Sequence, residues 1–389
     1  MKELELIGRE VERLRAEGRS AVLATVVDIR GSSYRLPGAR MLISGSQWIA
    51  GSVSGGCLEG DVVLRAREVL EHDRATVVTY DTTSDEDILF GVGLGCRGVI
   101  DVLIEPLQPR PANPDLVAFI RRCLEKRERG LVATVVRASG HTAAKTGERV
   151  VRFANGETAS NVTDGGLRTD IDNRLARIGS EASSHMARIE REGAQADVFI
   201  EVIEPPLPLV IFGAGHDALP MARLAKELGW HVSVVDHRPA YATRSRFPLA
   251  DAVLVASPEE AVRGLQLDAR TVALIMTHNY LRDLEVLKIL LPSPIRYIGL
   301  LGPRRRAGEL LAELEKQSLS PTPEQAQRLY APVGLDLGAE GPEGVALSVL
   351  AEIQAVVASR APGHLRERKG SIHGLTTASP TATPAATRV

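Results

Sequence analysis

Residues 209–236 read LVIFGAGHDALPMARLAKELGWHVSVVD, and this stretch decides the fold of the C-terminal half. An apolar run of strand length, Leu209–Phe212, stops at Gly213-Ala-Gly215-His-Asp-Ala218, where a helix opens. His231–Asp236 reads as the next strand and ends in an acid 21 residues after Gly215. A lone G-x-G-x-x-G says little; the strand before it, the helix after it and the spaced acid make it a dinucleotide fingerprint. The glycines allow a tight turn and the approach of a pyrophosphate, whose charge suits the helix N-terminus, and Ala218 fills the packing role of the third glycine. Asp236 is expected to accept hydrogen bonds from ribose hydroxyls, which favours NAD over NADP. His237 and Arg238 weaken that preference, because a cation there meets a 2′-phosphate. An empty site, or one for the nucleotide half of another cofactor, fits the same residues.

Downstream, Ala252–Ala256, Val272–Met276 and Tyr297–Leu301 read as further strands, with helices beginning near Pro258 and Leu281, after Pro303, and over Pro342–Ser359. Strands alternating with helices predict a parallel sheet covered on both faces. Thr277-His-Asn-Tyr280 ends the fourth strand, where such sheets place functional groups, so His278 joins Gly213, Gly215, His216 and Asp236 as a site candidate. A capping histidine is the alternative. Arg304–Arg306 face phosphate, a partner or, as is commoner for such a helix, solvent, and Gly334–Glu340 is placed to rim the crevice.

Pro205, Pro206 and Pro208 mark a boundary, and the Ser/Thr/Pro/Ala-rich residues 361–389 predict a disordered tail. The expected organisation is an N-terminal domain over 1–206, a Rossmann-type domain over 207–360, and the tail. The N-terminal part repeats itself. VLATVV (22–27) returns as LVATVV (131–136), and Gly31, Gly38 and Arg40 recur 109 residues later as Gly140, Gly147 and Arg149. Asp164-Gly-Gly166 stands for Ser54-Gly-Gly56, and DVFIEVIEP (197–205) echoes IDVLIEP (100–106). This predicts an α/β domain of two copies, about 10–106 and 115–205.

Only the first copy carries GSVSGGCLEG (51–60), a glycine-serine loop that ends in Cys57 and runs into a helix. Bare backbone and a helix start predict a part-thiolate beside a ring of amide donors, suited to an anionic or metal-bearing ligand. Glu59 and Asp61 push the thiol back toward neutrality. A tight turn with a buried cysteine is the alternative. A second glycine loop, GLGCRG (93–98), holds Cys96 and Arg97, while Cys123 lies on an apolar helix and reads as core.

A net charge of −2 gives no case for nucleic-acid binding, and three cysteines without C-x-x-C argue against a disulfide framework or structural zinc. No apolar run has membrane-spanning length, and the N-terminus, with Leu4, Ile7, Val11 and Leu14 at helical spacing, does not read as a signal peptide. A soluble cytoplasmic protein is expected.

Assembled, GSVSGGCLEGD (51–61), GLGCRG (93–98), VIFGAGHDALP (210–220), VVDHRP (234–239), YIGLLGPRRR (297–306) and VGLDLGAE (333–340) resemble the xanthine dehydrogenase accessory family, XdhC/CoxI. The resemblance spans about residues 10–360 and implies a chaperone that binds molybdenum cofactor. Such a protein shields the cofactor, supports its sulfuration with a cysteine desulfurase, and delivers it to a xanthine dehydrogenase-type molybdenum hydroxylase. It implies that Ser54, Gly55, Gly56, Cys57, Cys96 and Arg97 face the cofactor, with Cys57 and Cys96 near its molybdenum. Gly213, Gly215, His216, Asp236 and His278 would serve NAD or another nucleotide. The chain departs from the family at His278-Asn279-Tyr280, where members carry His-Asp-His, which weakens a metal or proton-transfer role there. A homodimer is the prior for assembly. Two other classes compete: an NAD-dependent oxidoreductase, with His278 as its acid–base group, and a cysteine-based sulfur or redox carrier using Cys57 and Cys96.

Overall fold

Helix Lys2–Ala16 forms on the spacing of Ile7, Val11 and Leu14, all buried, and leads into β1 (Ala21–Gly31), the central strand of an antiparallel sheet. The computed structural model describes residues 2–82, 98–107, 113–179, 182–265 and 267–368. The chain divides into two compact units, Met1–Pro206 and Leu207–Val389.

In the first unit β1 is followed by β2 (Arg40–Ser44), β3 (Gln47–Gly51), helix Glu59–His72, β4 (Thr76–Asp81) and β5 (Gly98–Leu107). The series then runs again: helix Leu116–Lys126, β6 (Gly130–Gly140), β7 (Arg149–Arg152), β8 (Thr158–Ser160), helix Gly165–Ala176, β9 (His185–Arg191) and β10 (Ala194–Ile203). Strand orders are β3-β2-β1-β5-β4 and β8-β7-β6-β10-β9, the same topology twice. Even the irregularities match. The β1–β5 register skips Val27 and the β6–β10 register skips Val136, so each central strand carries one bulge at the equivalent valine. The short strands β3, β8 and β9 were not expected from the sequence.

The two copies are joined by reciprocal contacts. The bulged Val27 and Val136 pack with Leu103 and Phe199 in one buried cluster. Arg40 of the first copy forks onto Glu201 of the second, and Arg149 of the second reaches Glu105 of the first. In each copy the same arginine also donates to the carbonyl two residues earlier, Gly38 at 3.0 Å and Gly147 at 2.9 Å. Contacts that swap between copies are those of a two-fold pair. Cys123 is buried in the shared core beneath the first helix of each copy, as its helix pattern predicts.

The second unit is a parallel six-stranded sheet of order β13-β12-β11-β14-β15-β16. Its strands are β11 (Pro208–Phe212), β12 (His231–Asp236), β13 (Ala252–Val255), β14 (Val272–Ile275), β15 (Tyr297–Leu300) and the unpredicted β16 (Leu329–Tyr330). Helices Ala218–Glu227 and Pro342–Val357 build the core on one face, while Tyr280–Leu290 and Arg304–Lys316 build the other. This is the expected doubly wound arrangement, and strand order reverses between β11 and β14, the point at which such sheets open a crevice at the strand ends. Of the predicted tail, Leu365–Glu367 make one 3-10 turn, and residues 369–389 lie outside the described residues. No described helix is long and apolar enough to cross a membrane.

Candidate functional site

The Cys57 loop leaves β3 and is built around Ser54 and Glu59. The Ser54 hydroxyl oxygen accepts from the N–H groups of Gly56, Cys57 and Leu58 at 3.2, 3.1 and 3.1 Å, and donates to Glu59. Glu59 in turn accepts from the N–H groups of Val53 and Ser54 at 3.2 and 2.8 Å. Both side chains are buried, and Val53 and Leu58 anchor the ends of the loop in the core. Burial pushes the Glu59 carboxyl up, but the Ser54 hydroxyl and the backbone amides outweigh it and hold the group below its ordinary range.

Two expectations change here. The predicted ring of amide donors is already committed to Ser54, so the loop presents a thiol rather than an anion nest. Glu59 is a structural acceptor inside the loop, not a solvated first-turn acid beside the sulfur. The alternative of a buried cysteine also fails, because Gly55, Gly56 and Cys57 are all exposed. The ring of Tyr34, 68% exposed, stands against Gly55 on this loop.

Cys96 and Arg97 lie outside the described residues. Their segment is rooted where Thr82 and Gly98 pair through N–H and hydroxyl bonds of 3.0, 2.7 and 3.0 Å. Gly98 packs on Ser32, two residues from Tyr34, so one loop touches both that root and the Cys57 loop.

The second copy shows what the first has gained. Buried Val162 and Leu167 occupy the places of Val53 and Leu58, which fixes the alignment at 109 residues. Thr163 therefore stands for Ser54, and Gly166 for Cys57, a one-residue correction to the expected Asp164–Ser54 match. Asp164 instead caps the helix, accepting from Leu167 N–H at 2.9 Å, and the helix starts directly at Gly165. The Arg191 guanidinium lies over Gly166 so closely that a Cβ would overlap it, and Arg191 is itself held by Asp170 at 2.5 Å. The equivalent position in the second copy is thus thiol-free, and the Arg191 guanidinium stands where a side chain would go.

In the second unit the glycine loop follows β11. Gly213 has φ +116°, and a Cβ there would collide with the Met276 carbonyl at the end of β14, so no other residue fits. The loop is tied on both sides. Asp236 Oδ2 accepts from Ala214 N–H at 2.8 Å, while Arg246 donates to the Ala214 carbonyl at 2.8 Å. Arg238 forks onto Asp236 through Nε at 2.9 Å and a terminal nitrogen at 2.8 Å, and its own N–H adds a bond of 2.9 Å. Burial works against the Asp236 carboxylate, yet the Arg238 side chain and these amides hold its pKa down at about 2. Four N–H donors fill a carboxylate's four acceptor positions. Asp236, expected to meet ribose, is engaged within the protein.

Opposite, His278 and Asp217 meet above the glycines, with Nε2 2.7 Å from Oδ2. His278 adopts φ +56°, an uncommon conformation for a side-chain-bearing residue, and is 61% exposed. Asp217 leaves the helix it begins without a side-chain cap and turns to His278 instead. His216 is exposed on the same loop. Asp283 is buried, accepting from Thr277 at 2.5 Å and from Arg306. Arg306 is therefore structural, whereas Arg304 and Arg305 are exposed. Among the described residues, no group of three or more His, Cys, Asp or Glu is placed to hold a metal ion.

Residues 14–81 match the model of the XdhC and CoxI family, and residues 209–353 match that of the XdhC Rossmann domain. Over 344 residues the chain is 35% identical to a probable xanthine dehydrogenase subunit of Bacillus subtilis (strain 168), covering 88% of this chain and 95% of that one. The chain belongs to the XdhC and CoxI family. This family member is also 26% identical over 339 residues to the molybdenum cofactor insertion chaperone PaoD of Escherichia coli (strain K12), over 87% of its own length and 84% of PaoD. Its fold is similar to the crystal structure of a xanthine dehydrogenase from Bacillus halodurans, with a TM-score of 0.71 and 29% identity over 91% and 96% of the two chains. The Cys57 loop and the glycine loop after β11 of this XdhC/CoxI chain both fall inside matched segments.

Proposed function

We propose that the protein is a maturation factor that binds molybdenum cofactor at the Cys57 loop, protects it, supports its sulfuration, and delivers it to a xanthine dehydrogenase-type molybdenum hydroxylase. The observation that carries this is an exposed thiol on a loop locked by Ser54 and Glu59, where the duplicate copy has a half-buried glycine beneath an arginine. A soft sulfur donor suits molybdenum, and the likeness to PaoD supports the cargo. Ser54 positions the loop, Gly55 and Gly56 leave its edge bare, and Cys96 with Arg97 supply the second thiol and a cation. A cysteine desulfurase is the proposed sulfur source, and the working assembly is a homodimer.

In the crevice, Gly213 and Gly215 would receive the phosphates of NAD or another nucleotide, flanked by His216 and His278. The Asp217–His278 pair favours one second reading, an NAD-dependent oxidoreductase, because an oriented imidazole is the acid–base group that such chemistry requires. Co-expression separates the two. Under the maturation reading, Cys57→Ala leaves a partner xanthine dehydrogenase intact but inactive, and the purified protein turns over no small substrate with NAD. Normal activation by Cys57→Ala, with NAD-dependent turnover by the pure protein, would establish the second reading instead.

A further inference from the structure

Arg238 occupies the place where a dinucleotide's adenosine ribose is normally read. A ribose lying across the glycine loop ends at the C-terminus of β12, where an acid accepts its 2′-hydroxyl. Here that acid has no acceptor left. Asp236 is bonded to Ala214 N–H and, through the backbone and two side-chain nitrogens, to Arg238. The Asp236 side chain is 2% exposed and the Arg238 side chain 38% exposed, so an incoming sugar meets the arginine first. Arg238 is also fixed from behind, with its guanidinium 3.9 Å from the Tyr241 ring centre. Arg246 lies on the same ring at 5.1 Å and is spent on the loop carbonyls of Ala214 and Gly215.

The cleft beside this pair is shallow, enclosing only about 20 Å³, and is lined by Gly213, Asp236, His237, Arg238, Thr277 and Arg282, among others. His237 is half exposed, and Arg282 pairs with Glu285 at 2.7 Å. Asp236 and Arg238 neutralise each other, as do Arg282 and Glu285, so no free carboxylate faces the ribose end, and the groups turned outward there are the free edge of the Arg238 guanidinium and the His237 ring.

We propose that the crevice selects nucleotides whose adenosine ribose carries a 2′-phosphate, of the NADP type, and that Arg238 is the specificity-determining residue. This rests on the crevice being a nucleotide site, and is independent of whether the Cys57 loop holds molybdenum cofactor. Phosphate would be met by the outward edge of the Arg238 guanidinium and by His237, while the Arg238–Asp236 fork stays closed. A free 2′-hydroxyl finds no open acceptor on Asp236 while that fork is closed, and gains only a neutral contact with the Arg238 edge where a phosphate gains a charged one.

Calorimetry on the full chain tests this with adenosine 2′,5′-bisphosphate against adenosine 5′-monophosphate, and with NADP against NAD. The 2′-phosphorylated member of each pair should bind at least tenfold more tightly. In Arg238→Gln, the preference should shrink below threefold, with folding checked by circular dichroism. Equal affinity within each pair, tighter binding of NAD, or no binding of either dinucleotide by the unmutated protein overturns the proposal. So does a folded Arg238→Gln protein that keeps the full preference. The wild-type comparison stands even if the variant does not fold. Molybdenum cofactor content, measured on the same preparations, reports separately on the Cys57 reading.

Discussion

Arg40 and Glu201 lie 161 residues apart in sequence and form a buried, two-pronged ion pair across the two copies of the first unit, mirrored by Arg149 and Glu105. Removing one partner leaves an uncompensated charge in the core. Arg40→Ala should therefore cost about 3–5 kcal/mol, whereas the double change Arg40→Met with Glu201→Leu should recover most of it. Urea denaturation of the three proteins checks this. A single-variant loss within the ±0.5 kcal/mol typical of surface positions would show that the pair does not join the copies.

Glu59 holds the Cys57 loop by accepting from Val53 and Ser54. Glu59→Ala strands those donors and should destabilise the unit by about 1–3 kcal/mol. Hydrogen exchange at amides 53–58 should rise with it. The carboxyl is held below its ordinary range when folded, so its contribution is present above about pH 4.3 and is lost as the pH falls through the folded value. Unchanged exchange in the variant would mean that the loop is held by something else.

The two described cysteines should react differently. Cys57 is exposed and Cys123 buried, and burial, then the charge of Glu128, pushes the Cys123 thiol up to about 11. Iodoacetamide at neutral pH should label Cys57 in the folded protein and Cys123 only after unfolding, as read by peptide mass spectrometry. Equal labelling of both would contradict the placement.

Much of this was legible in the chain. The C-terminal fold followed from one strand–glycine–helix–strand–acid sequence, because apolar runs in a parallel sheet are continuous and well punctuated. The duplication showed through Gly38, Arg40 and their partners, since a bulge and a buried arginine tolerate few substitutes. What stayed hidden were side-chain choices between internal and external partners. Asp236 carries the same letter whether it meets ribose or Arg238, and Glu59 the same letter whether it faces water or Ser54. Arg238, two residues after Asp236, is the available signal, because its guanidinium is near enough in sequence to take the carboxylate for itself. Strands β3, β8 and β9 bury few of their side chains, so their apolar pattern is faint.

Asp236 should also report on the second unit through pH. Its pKa falls from the ordinary 3.8 to about 2 on folding, so its stabilisation is complete above about pH 4 and fades as the pH drops toward 2. The depression corresponds to about 2 kcal/mol. Asp236→Asn should lose roughly that much at pH 7 and flatten the acid limb between pH 4 and 2, by denaturation monitored at Trp230. An unchanged acid limb would remove Asp236 as the clasp of the glycine loop.

The central claim, that Cys57 holds molybdenum cofactor, is tested most directly by the molybdenum and pterin content of protein isolated from cells that make the cofactor. Unmutated protein and Cys123→Ala should carry cofactor at comparable levels, while Cys57→Ala, with an unchanged circular dichroism spectrum, should retain less than a tenth as much. Full retention of cofactor by folded Cys57→Ala would contradict the account.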